Sequence, residues 1–242
     1  EVRFMYDGMN SLNNLPYNYY KSLRKLGIKA KVFSQIIPAL STVQNNRDHR
    51  KITVIDGEIA YTGGANLADE YINRIERFGY WKDANIRVTG EVVANFTLMF
   101  LQMWNFDEKS DHNDLSYLEE HHQRENIQIE SDSYFLAYGD SPFDNDAVAK
   151  RVYLDMFHSA QQSICIMTPY LVLDDEMQES LIYAAKRGVE VRILLPHIYD
   201  KQMPYLVART DFEIYLEAGI EIYEYMPGFV HSKVVLVDNR KA

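Results

Sequence analysis

Two stretches of this chain share one pattern in one setting: His49-Arg50-Lys51-Ile52-Thr53-Val54-Ile55-Asp56 and His231-Ser232-Lys233-Val234-Val235-Leu236-Val237-Asp238. Each sets a histidine and a lysine two positions apart at the head of a β-branched run, which reads as a buried strand. Each also stands at the same place in a longer repeat. Val2-Arg3-Phe4-Met5-Tyr6-Asp7 resembles Val191-Arg192-Ile193-Leu194-Leu195, and helical stretches follow both, ending in Leu26-Gly27-Ile28 and Ala218-Gly219-Ile220. Strands over residues 29–33 and 221–225 come next, and then the His-Lys pairs. Three residues spread over eight positions recur by chance; two copies at matching places in a repeat do not.

The local signals agree with that repeat. Gly27, Gly188 and Gly219 each close a helical pattern before a β-rich run, the place where a left-handed backbone is least costly. Asp174 and Asp175 supply an N-cap and an acidic first turn for a helix over residues 176–187. Strand 164–168, that helix and strand 189–195 form one strand-helix-strand unit. The series Phe96, Leu98, Met99, Phe100, Leu101, Met103, Trp104 reads as a core-packed helix. The sequence therefore predicts an α/β chain of two repeated halves, each a mixed β-sheet flanked by helices, with the active site between them. The halves are residues 1–106 and 133–242, joined by a polar linker over 107–132. Glu119-Glu120-His121-His122 lies in that linker and reads as solvated, since adjacent residues do not converge on one ion.

Composition narrows the function. Among 242 residues the formal net charge is −10, with a pI near 5.2, which repels a polyanion at long range and disfavours nucleic acid as a partner. The single cysteine, Cys165, forms no disulfide within the chain and is expected to be a buried, inert thiol. No stretch is apolar for the length of a membrane span. The chain opens on Glu1-Val2-Arg3-Phe4-Met5-Tyr6, a strand already in progress, so a piece of a longer protein is expected.

The chemistry follows from strand register. Residues two apart share a face, so each His and Lys point together, whereas Asp56 and Asp238, seven positions past their histidines, support the architecture. Two such pairs suit phosphodiester exchange. One imidazole attacks phosphorus to give a phosphohistidine, while the other protonates the leaving alcohol and then deprotonates the incoming one. Lys51 and Lys233 neutralise the phosphoryl oxygens, so the scheme calls for no cofactor and no metal.

At these residues the sequence resembles the phospholipase D superfamily, and within it the bacterial cardiolipin synthases. Further stretches carry the likeness: Arg47-Asp48-His49-Arg50-Lys51, Thr62-Gly63-Gly64-Ala65-Asn66, Asp69-Glu70-Tyr71, Trp81-Lys82-Asp83, Tyr138-Gly139-Asp140-Ser141-Pro142, Thr168-Pro169-Tyr170 and Tyr223-Glu224-Tyr225-Met226-Pro227-Gly228-Phe229-Val230-His231. The resemblance implies that Gly63 and Gly64 let the backbone approach the phosphate and that the Asn66 amide donates to it. It implies that Asp83 orients His49, and that the matching Asn and Asp for the second motif lie past Ala242. His49 is assigned as nucleophile and His231 as acid/base, an order the symmetric motifs leave exchangeable. It further implies a phosphatidyltransferase acting on phosphatidylglycerol and membrane lipids at the bacterial cell membrane, anchored by N-terminal helices ahead of this region. Hydrolysis of phospholipid, or an inactive scaffold, is the alternative.

Overall fold

The computed structural model describes residues 1–9, 11, 14–34, 47–106, 133–140 and 146–242. The linker with Glu119-Glu120-His121-His122 lies outside the described residues, as does Ser141-Pro142. The chain forms two compact units, Glu1–Ala60 with Val88–Asp146, and Tyr61–Arg87 with Ala147–Ala242. Compactness thus groups residues differently from sequence order: the segment that follows the first motif belongs with the second motif.

In the first unit, β1 (Arg3–Asp7), helix α1 (Tyr19–Lys25) and β2 (Lys29–Phe33) form the expected strand-helix-strand unit, with β1 and β2 parallel and Arg3 opposite Lys29. β3 (Ile52–Ile55) also belongs to this unit, whereas β4 (Ile59–Gly63) and β6 (Asn85–Thr89), which complete a three-stranded sheet of order β3-β4-β6, each have residues in both groupings; β5 (Tyr80–Lys82) between them in sequence belongs to the second. Helix α2 (Val92–Trp104) buries Val93 and Phe96 against Ala60, with Ile52, Val54 and Met99 packed around them. This is the core-facing helix that the apolar series predicts. Its end is held by Lys31, whose ammonium donates to the Trp104 carbonyl at 2.6 Å and sits 4.5 Å above the Trp104 ring.

The second unit holds a four-stranded mixed sheet of order β11-β7-β8-β9. β7 (Ser163–Met167), β8 (Glu190–Pro196) and β9 (Glu221–Tyr225) are parallel, and β11 (Val234–Val237) is antiparallel to β7. Helices α3 (Val148–Ser159), α4 (Asp175–Lys186), α5 (Gln202–Thr210) and α6 (Phe212–Glu217) complete it. Parallel strands need such crossovers, and the buried set Phe157, Ile164, Leu181, Ile193, Tyr215 and Ile220 is where strands and helices meet. Asp174 caps α4 by accepting from the Met177 N–H at 3.0 Å, and Gly188 after it has a positive φ of 93°. Cys165 departs from expectation: it is half-buried, on the face of β7 opposite Ile164 and Ile166, because strand alternation gives the core only every second residue.

Candidate active site

β10 (Gly228–Val230) pairs in parallel with β5, Gly228 against Tyr80 and Val230 against Lys82. The approach is close. A Cβ at Gly228 would fall 2.3 Å from both the N and O of Tyr80, and one at Gly79 would fall 2.6 Å from the Pro227 carbonyl. Glycine on both sides is what allows these two short strands to pair. The pairing continues one residue further, where the His231 N–H donates to the Lys82 carbonyl at 2.8 Å, so His231 and Asp83 emerge side by side.

Nδ1 of His231 lies 2.9 Å from Oδ2 of Asp83, with side-chain exposures of 7% and 4%. Burial pushes the Asp83 carboxyl up, but donation from His231, from the Ala84 N–H and from Trp81 together hold it below the usual carboxylate value. An ionised carboxylate only accepts, so Nδ1 of His231 is the donor in this pair. Lys233 places its ammonium 3.0 Å from Nε2 and donates to the His231 carbonyl at 2.7 Å. The same ammonium lies 3.1 Å from Nδ1, so the cation stands beside the ring as a whole.

Aromatic rings fix the imidazole on its other sides. Tyr71 meets it edge-on at 5.3 Å, Trp81 lies at 5.3 Å and Phe229 at 6.1 Å, and Trp81 packs on Phe229 at 5.0 Å. Trp81 is itself held by Asn73, which donates to its carbonyl at 2.9 Å and accepts from its N–H at 2.6 Å.

The glycine pair after the first motif belongs to this site. A Cβ at Gly64 would lie 2.1 Å from Oδ1 of Asp83 and 3.0 Å from the His231 carbonyl; one at Gly63 would lie 2.3 Å from the Ala84 carbonyl. Their absent side chains make room for the Asp83–His231 pair. Asn66 donates from Nδ2 to the Tyr71 hydroxyl at 2.5 Å, one ring away from His231.

Asp238 follows directly on β11. Its carboxylate accepts from the backbone N–H groups of Gln161, Gln162 and Ser163 at 2.9, 2.7 and 2.8 Å, and the Ser163, Gln161 and Gln162 donors hold its carboxyl low. This ties the end of β11 to the start of β7. Asp56 shares its left-handed backbone, with φ of 50° against 52°.

In the first unit His49 and Lys51 repeat the local geometry of the second motif. The Lys51 ammonium lies 3.2 Å from both ring nitrogens of His49 and donates to the His49 carbonyl at 2.7 Å. Asp48 is gripped by Arg50, whose Nε donates at 2.9 Å.

Two expectations are corrected. Asp83 orients His231 rather than His49, because the β5–β10 pairing brings it there. The His-x-Lys stretches also precede their strands instead of lying in them, since β3 begins at Ile52 and β11 at Val234. In both, the lysine ammonium still reaches back to its own histidine, donating to that carbonyl at 2.7 Å. Neither strand is fully buried; alternate residues of β3 are exposed.

Sequence reasoning missed Tyr71, Trp81 and Phe78, whose ring packs on Phe229 at 5.8 Å, as parts of the site, and named Phe229 only within a stretch of likeness. The one sequence cue was the glycine on each side of the pairing, Gly79 and Gly228.

Residues 153–242 match the family model described as "Cardiolipin synthase, PLD-like domain". Over all 242 residues the chain is 52% identical to an uncharacterized protein of Streptococcus mutans, covering 51% of it. Over the same length it is 37% identical to a cardiolipin synthase of Alkalihalophilus pseudofirmus, covering 47% of it. It thus spans about half the length of the curated relatives it matches. Among solved structures, phosphatidylserine synthase of Haemophilus influenzae shares the fold, with a TM-score of 0.63 at 17% identity over 99% of this chain and 64% of that one. Residues 153–242 are thus similar to that phospholipase D-like domain, and the chain along its whole length is similar to bacterial cardiolipin synthases over about half of theirs.

Proposed function

We propose that the protein containing this chain transfers a phosphatidyl group from one phosphatidylglycerol to the primary hydroxyl of a second, giving cardiolipin and glycerol through a phosphohistidine. The observation that carries this reading is the Asp83–His231–Lys233 cluster: an imidazole whose Nδ1 is held by a buried carboxylate, with an ammonium 3.1 and 3.0 Å from its two ring nitrogens. Likeness to cardiolipin synthases supports the choice of lipid.

In this scheme one imidazole attacks phosphorus, and glycerol leaves with a proton from the other. The second imidazole then takes the proton of the acceptor hydroxyl as its oxygen displaces the phosphohistidine nitrogen. His49 is the proposed nucleophile and His231 the acid/base. Asp83 suits His231 to that role, since an imidazole that gains and loses protons benefits from a carboxylate behind it. Lys51 and Lys233 balance the phosphoryl charge and the Asn66 amide donates to a phosphoryl oxygen, while Gly63 and Gly64 leave the room that the Asp83–His231 pair fills. The setting proposed for the whole protein is the bacterial cell membrane; among the described residues no helix is long and apolar enough to cross one.

The test supplies phosphatidylglycerol vesicles to the full-length gene product and follows products by mass spectrometry. Cardiolipin with equimolar glycerol is expected. Phosphatidic acid without cardiolipin would move the protein to the hydrolases.

A further inference from the structure

The parallel strands of the second unit end on one edge of the sheet, and three loops leave from it. In open α/β sheets this carboxyl edge is where ligands bind. Met167, the last residue of β7, pairs with Val234, so the loop carrying Tyr170 starts beside Lys233. Pro196, the last residue of β8, pairs with Tyr225, from which the chain turns into β10 and His231. Tyr170 and Asp200 therefore belong to the same edge as the reactive pair, although the mechanism above uses neither.

They are joined to each other. The Tyr170 hydroxyl lies 2.8 and 2.7 Å from the two carboxylate oxygens of Asp200, and the Lys201 ammonium stands 5.3 Å above the Tyr170 ring. Burial first, and then the bond to Asp200, push the Tyr170 phenol upward, and the charge of Tyr71 acts on it as well. The Tyr71 phenol, raised chiefly by burial, in turn feels Asp200. These cross-influences make Tyr71, which touches the His231 ring, a neighbour of the Tyr170–Asp200 pair.

A carboxylate is a poor neighbour for a phosphate and a good one for hydroxyl groups. Two oxygens offer about four acceptor positions, and the single Tyr170 hydroxyl proton leaves most of them open. Lys233 draws the phosphoryl oxygens, and Asp200 repels them.

We propose that Asp200, held by Tyr170, is an acceptor subsite that recognises the vicinal hydroxyls of a polyol headgroup, and so selects a glycerol-type alcohol over a simple alcohol or water. This rests on the phosphatidyl-transfer reading and names what distinguishes the acceptor. In the step concerned, the acceptor oxygen forms the new P–O bond and the P–N bond of the phosphohistidine breaks. Its electron pair returns to the imidazole, and the hydroxyl proton passes to the other imidazole. Asp200 touches only the adjacent hydroxyl and is a specificity residue.

The test is an internal competition. The full-length gene product is given phosphatidylglycerol with equal concentrations of ¹³C-glycerol and 1-propanol, and labelled phosphatidylglycerol is measured against phosphatidylpropanol. The wild-type protein is expected to favour glycerol. Asp200→Asn and Tyr170→Phe are each expected to lower the product ratio about tenfold, whatever the total rate. A ratio unchanged in both variants, or a wild-type protein with no preference, overturns the subsite while leaving phosphatidyl transfer intact. A wild-type protein that yields neither product overturns both readings.

Discussion

Gly64 and Asp83 fit against each other with no space to spare: a methyl at residue 64 would fall 2.1 Å from Oδ1 of the carboxylate whose other oxygen holds His231. Gly64→Ala must therefore push Asp83 off the imidazole. The expected result is destabilisation of about 1–3 kcal/mol, together with a loss of turnover larger than the stability change alone would produce. Thermal unfolding and kcat measured on the same preparation check both.

Asp83→Asn keeps the shape of the side chain and removes its charge. The amide can present its NH₂ to Nδ1, which favours the tautomer with the proton on Nε2. Turnover is expected to fall by roughly 10²- to 10⁴-fold, with the near-ultraviolet circular dichroism unchanged. A loss of less than tenfold would remove Asp83 from the mechanism.

Both motifs are predicted to be indispensable. His49→Ala and His231→Ala should each abolish cardiolipin formation. Only the variant lacking the acid/base is expected to accumulate a phosphoenzyme, detectable as a mass shift that disappears on acid treatment. Trapping in His231→Ala would fix the proposed order; trapping in His49→Ala would reverse it.

Asp238 gives a pH-dependent prediction. Its folded carboxyl holds a proton less tightly than the unfolded one, so its contribution is present above the unfolded value, about 3.9, and is lost as pH falls through the lower folded value. Asp238→Ala is expected to lower the thermal midpoint at pH 7 by on the order of 2–4 °C. The gap from wild type should narrow as pH falls below about 4. A gap that stays constant with pH would mean that the charge on Asp238 contributes nothing.

Asn73 has a left-handed backbone, φ 56°, and bonds both the N–H and the carbonyl of Trp81. Asn73→Gly keeps that conformation available and deletes the two bonds, at an expected cost of about 1–3 kcal/mol. Chemical denaturation measures it. Turnover should fall as well, because Trp81 packs on His231.

Much of the fold was legible because its signals are local. Strands at residues 29–33 and 221–225, the Asp174 cap and the glycines after α1, α4 and α6 follow from patterns a few residues long. The His-Lys pairs were legible for the same reason. The partner of Asp83 was not. It depends on pairing between two three-residue strands, β5 and β10, too short to show a period and far apart in the chain. The resemblance suggested a partner for His49, and only the fold shows that the carboxylate following the first motif serves the second. The two-unit division was hidden likewise, since residues 61–87 carry no mark of the unit they join.

The β5–β10 pairing also sets a timetable for biosynthesis. Asp83 leaves the ribosome 148 residues ahead of His231, roughly 10 s at ordinary translation rates. Throughout that interval Trp81 has no Phe229 to cover it, and the Asp83–His231 pair cannot assemble. Packing around the imidazole is therefore completed late in the synthesis of this stretch, after both short strands have been made.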